Sequence, residues 1–135
     1  MFAARRLSML SLPLAVAALV VGGCASDDDA SGTTVQVTST DDACEVATAE
    51  VGAGSITFEV RNDGSDATEV YIFRGDDKSL SEPLDEVEDI GPGTSRDMAI
   101  ELEAGDYQLV CKPGQTGDGI RAEMITVTES GGGGY

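Results

Sequence analysis

Apolar and polar side chains alternate along much of the chain. Val35 and Val37 alternate with Gln36 and Thr38, and Ile56, Phe58 and Val60 with Thr57, Glu59 and Arg61. Val70 and Ile72 repeat the pattern, followed by Met98, Ile100 and Leu102, by Tyr107, Leu109 and Cys111, and by Ile125 and Val127. A period of two sends successive side chains to opposite faces of a strand, so each run predicts a half-buried strand with a polar outer face. Turn signals separate the runs: Gly52 to Gly54, Asn62-Asp63-Gly64, Gly91-Pro92-Gly93 and Ala104-Gly105-Asp106. After residue 24 no stretch sustains apolar i, i+3, i+4 spacing over a helical length, although Lys78 to Glu88 is irregular enough to hold a turn of helix. The predicted class is all-β, an antiparallel β-sandwich, whose Greek-key connectivity spacing alone does not give.

The first two dozen residues follow another rule. Arg5 and Arg6 precede an apolar run from Leu7 through Val21, broken by Ser8, Ser11 and Pro13, which is the layout of an export signal. A bilayer-spanning helix needs about 20 predominantly apolar residues, and this run is shorter and carries a proline. Val21-Gly22-Gly23-Cys24 resembles a bacterial lipobox, with Cys24 as the lipidated first residue of the mature chain. The expected organisation is a lipoprotein signal peptide over 1–23, an acidic flexible tether over 24–33, one domain over 34–128, and a Gly-rich disordered tail over 129–135. The expected location is the extracytoplasmic face of a cell membrane, held through the N-terminal lipid.

Charge narrows the partners. The signal holds two of the eight basic residues and none of the twenty-five acidic ones, so the chain from Cys24 onward carries −19. Nucleic acid, whose phosphates require clustered Lys and Arg, is excluded as a partner. Asp85, Glu86, Glu88 and Asp89 form an acidic cluster in which Glu86 and Glu88 share a strand face, and the pattern reads as protection of an edge strand. No histidine is present to act as a general base, and no nucleophile elbow or phosphate-cradling glycine loop is found, so the chain is not expected to be an enzyme.

Two cysteines remain beyond Cys24. In an oxidising compartment Cys44 and Cys111 read either as a disulfide or as a pair of thiolate ligands, Cys111 lying at a strand end just before a loop that bears Gly and Pro.

Tyr107-Gln108-Leu109-Val110-Cys111-Lys112-Pro113-Gly114 resembles the Tyr-to-Cys strand and metal loop of plastocyanin-type cupredoxins, with Gly114 where those proteins carry a His. Asn62 through Val70 resembles the turn that supplies their first His, with Glu69 at that position. Blue-copper sites are built from two His, a Cys and a weak axial ligand. A chain without histidine cannot build one. The pattern more closely resembles the cupredoxin-like domain of the EfeO family, extracytoplasmic components of EfeUOB-type iron-uptake systems. The matching pieces are Asp41 to Val46, Thr57 to Val60, Thr68 to Tyr71, Val87 to Arg96 and Tyr107 through Arg121.

That resemblance implies a cupredoxin-like sandwich that stands alone, without the family's helical domain. It also implies a metal site formed by Cys44, Glu69 and Cys111, with Glu45 as a fourth donor, and iron or copper as the metal. Two thiolates favour Cu(I), Zn or iron, and a carboxylate shifts the preference toward iron or Cu(II). The expected partners are the membrane, through the lipid, and an iron-uptake permease or its associated proteins. Tyr107 resembles a tyrosine corner, a structural role, and Arg121 reads as the ion-pair partner of a nearby acid. The alternative function is a disulfide-locked interaction module of an envelope complex that binds no metal.

Overall fold

A computed structural model describes residues 32–75 and 82–129. The signal and the lipidation site at Cys24, most of the tether and nearly all of the tail lie outside the described residues. Ten strands run through them: β1 (Thr33–Ser39), β2 (Cys44–Val46), β3 (Glu50–Gly52), β4 (Gly54–Asn62), β5 (Thr68–Arg74), β6 (Asp85–Ile90), β7 (Ser95–Leu102), β8 (Gly105–Pro113), β9 (Ile120–Arg121) and β10 (Ile125–Thr128). No helix long and apolar enough to cross a membrane occurs among the described residues. From Asp85 to Glu88, where a turn of helix had room to form, the chain is strand.

The strands form two sheets, ordered β2-β1-β4-β7 and β3-β10-β8-β5-β6, with β9 pairing β8. Period-two alternation decides which side chains meet. Val35, Val37, Ile56, Phe58, Val60, Met98 and Leu102 of the first sheet face Val70, Ile72, Ile90, Leu109, Cys111, Ile125 and Val127 of the second, all buried in one core. Burying a side chain of this size contributes about 1.5–3 kcal/mol.

The sheets are mixed, where alternation alone suggested antiparallel pairing. β1 runs parallel to β4, and β10 parallel to β3. Parallel neighbours require a crossover connection, and here β2 and β3 lie between β1 and β4, which lets the chain re-enter from the same end. Side-chain alternation is the same for both pairings, so it carries no information on direction.

Tyr107 is fully buried, and its hydroxyl donates to the Glu103 carbonyl 2.7 Å away, fixing the turn into β8 as a tyrosine corner does. β6 is an edge strand, as its acids suggested. Its pairing with β5 slips between Thr68 and Val70: β6 has an extra residue there, and Asp89 takes a left-handed conformation (φ 55°). Such a bulge bends an edge away from a second chain.

Candidate functional site

At one end of the sandwich four connections converge: 40–43, 63–67, 91–94 and 114–119. Asn62 organises them from the interior. Its Nδ2 donates to the carbonyls of Asp66 and Ile90, both at 2.7 Å, and its Oδ1 accepts from the Gly64 amide at 2.8 Å. Asp41 ties the first connection to the second, accepting from the Ser65 amide at 2.8 Å and the Ser65 hydroxyl at 2.9 Å. Those bonds, the amide first, hold its carboxyl below the usual range. The loop after Cys111 folds back tightly. Gly119 sits at φ 81°, and a Cβ there would lie 2.6 Å from Val110 Cγ1.

Beneath these loops Cys44 of β2 and Cys111 of β8 are joined by a disulfide, their Cα atoms 5.5 Å apart. The bond runs from the edge strand of one sheet to a central strand of the other, across the core. Of the two states left open by the sequence, the structure holds the oxidised one. In that state neither sulfur is a thiolate, the form that ligates metals.

The remaining residues of the expected site are not gathered there. Cys111 is directly opposite Val70, and both face the core; Glu69 is directly opposite Lys112. Because the side-chain period is two, Glu69 and Lys112 point away from Cys111, through the other face of the sheet. Glu45 likewise follows Cys44 on β2 and is exposed opposite Thr38. Among the described residues no three Cys, Asp or Glu side chains are placed to hold a metal ion.

Thr68, one residue before Glu69, is the side chain that β5 turns inward at this end. Fully buried, it shares a 2.9 Å hydrogen bond with Ser39, itself fully buried and paired in register with Cys44. Thr68, Ser39 and Asn62 were not singled out from the sequence. For Thr68 the sequence does carry a signal, since 68, 70 and 72 share one parity and the alternation places Val70 and Ile72 on the core face.

On the outer face, Glu69 belongs to a different group. The Tyr71 hydroxyl is hydrogen-bonded to it, Lys112 Nζ lies 4.0 Å from Oε1, and the same ammonium sits 4.7 Å above the Tyr71 ring. Tyr71 is pushed up to about 12, chiefly by burial, then by the Glu69 hydrogen bond and the charges of Glu69, Glu86 and Glu88.

A family model described as a cupredoxin-like domain matches residues 12–125. The chain belongs to the cupredoxin-like family. It is 36% identical over 77 residues to the iron uptake system component EfeO of Escherichia coli (strain K12), a stretch that covers 57% of this chain and 19% of that protein. The chain thus spans about a fifth of the length of the curated relatives it matches. Among solved structures it is similar to the dithionite-reduced auracyanin of Roseiflexus castenholzii (16% identity, TM-score 0.56, 71% of this chain and 97% of that one). It is also similar to auracyanin A, a "blue" copper protein of Chloroflexus aurantiacus (14% identity, TM-score 0.51, 72% and 99%). These two likenesses concern the cupredoxin-like fold, and the 77-residue likeness to EfeO is a likeness in sequence over part of that domain.

The copper of a blue-copper site does not fit the residues present. The chain has no histidine, Cys111 is bonded to Cys44, and the inward Thr68 is occupied by Ser39. At this end of the cupredoxin-like sandwich the core holds a crosslink and a buried hydroxyl pair.

Proposed function

We propose that this chain is a lipid-anchored, extracytoplasmic component of an iron-uptake system that binds iron, or copper, as cargo and catalyses no reaction. The observation that carries the reading is the 36% identity over 77 residues to a protein named for iron uptake. Cargo would engage the Cys44 and Cys111 sulfurs only after the disulfide is reduced, since only thiolates ligate metal. In that state the nearest polar side chains on the same inner face are Ser39 and Thr68, and Glu69 stays on the far side of the sheet. Glu45 remains a donor at the rim. The anchor rests on Cys24, and Cys24→Ser should release the protein from membranes into the soluble fraction.

Anaerobic titration of the mature protein with Fe²⁺, Fe³⁺, Cu⁺ and Cu²⁺, once with the disulfide intact and once reduced, tests the cargo. The reading expects tighter binding by the reduced form and its loss in Cys111→Ser. Binding weaker than micromolar in both forms rejects it.

The second reading, a disulfide-locked module that docks on a partner of the uptake machinery, is favoured by the Cys44–Cys111 bond itself. It expects protein isolated from cells to show no free thiol and no metal. Two free thiols with bound metal in such protein would reject it.

A further inference from the structure

The two ends of the disulfide are unequal. Cys111 has no solvent exposure and sits on a central strand, packed with Val70 and Leu109 in the core. Cys44 is 7% exposed, lies on an edge strand, and lines a depression of about 490 Å³ together with Thr38, Val46, Ala47 and two carboxylates, Glu45 and Glu123. Thiol–disulfide exchange is an in-line displacement whose rate depends on which sulfur can be reached. Cys111 offers no exposed surface to an incoming thiol, whereas Cys44 borders the depression at the edge of its sheet.

We infer that the Cys44–Cys111 bond is an exchange site for low-molecular-weight thiols, entered at Cys44 alone and selective for cationic or neutral thiols over anionic ones. The incoming thiol gives its proton to solvent and attacks as thiolate. A new S–S bond forms between it and Cys44 Sγ while the Cys44–Cys111 bond breaks. The electron pair leaves on Cys111 Sγ, which takes up a proton from water; the incoming sulfur is oxidised and Cys111 reduced. Glu45 and Glu123 at the rim repel an anionic thiol and attract a cationic one, an effect that salt screens. The inference depends on the geometry of this bond and not on the identity of any cargo.

The experiment exposes folded mature protein to cysteamine or to mercaptoethanesulfonate at low salt, quenches by rapid alkylation, and maps peptides by mass. The expected result is a thiol adduct on Cys44 with the alkyl group on Cys111. Adducts on Cys111, adducts divided evenly, or no exchange without denaturant would overturn the inference. Glu45→Gln with Glu123→Gln changes only exposed side chains. It should speed the anionic thiol by about threefold or more at low salt and leave little difference at high salt. An unchanged ratio of anionic to cationic rates would remove the proposed selectivity.

Discussion

Thr68 and Glu69 are adjacent in sequence and face opposite sides of the same sheet, and that single parity decides what each does. Thr68 contributes a hydroxyl to a buried pair with Ser39. Thr68→Val should leave the Ser39 hydroxyl buried without a partner and lower stability by about 1–3 kcal/mol, whereas Ser39→Ala with Thr68→Val should recover much of the loss, since no polar atom is then stranded. Urea unfolding of the three variants measures this; equal losses for the single and double variants would show that the hydrogen bond is incidental. Glu69 acts on Tyr71 outside the core. Tyr71 ionises at about 12, so the folded chain holds its proton more tightly than the unfolded chain, whose tyrosines lose theirs near 10. Stability from this source is intact below about pH 10 and is lost as pH rises through 12. Glu69→Gln should bring the Tyr71 value part of the way toward 10, because burial, the larger cause, stays. The tyrosine ring carbon shifts in NMR across alkaline pH follow it directly.

β6 shows how an element can be legible in composition and illegible in period. Its acids marked an edge, and β6 is an edge strand, yet only Val87 and Ile90 turn inward and the bulge at Asp89 breaks the alternation between them. The long strands β4, β7 and β8 were readable because each keeps its parity over eight or nine residues. β2, β3 and β9 have two or three residues each, too few to establish a period, and their pairings are set by the sheets they join. The expected ligand set was hard to read for a related reason. A one-residue offset in a strand moves a side chain through the sheet, so Glu69 lies on the face opposite Cys111 while Thr68 shares the face of Cys111. If the β6 acids protect an edge, Glu86→Thr with Glu88→Thr should promote self-association at low ionic strength without lowering the unfolding midpoint. Sedimentation velocity over a concentration series tests that, and a variant that stays monomeric throughout would return those acids to plain solvation.

For the whole molecule, two opposed features meet at the disulfide. A charge of −19 from Cys24 onward repels itself in any compact state. Against that stand a core shared by two sheets and one covalent link between them, closing a sequence separation of 67 residues. On the loop-entropy account such a link contributes about 4 kcal/mol by restricting the unfolded chain. Cys44→Ala with Cys111→Ala should therefore lower stability by about 4 kcal/mol, on the order of 20 °C in Tm for a domain of this size. Two further signatures separate this cause from simple loss of packing. The urea m-value should rise, because an unfolded chain without the crosslink exposes more surface. Added salt should restore part of the midpoint, because screening weakens the repulsion that the crosslink opposed. A fall in midpoint with an unchanged m-value would place the effect in the native core, where the two alanines leave a cavity, and would make the crosslink secondary to the packing around it.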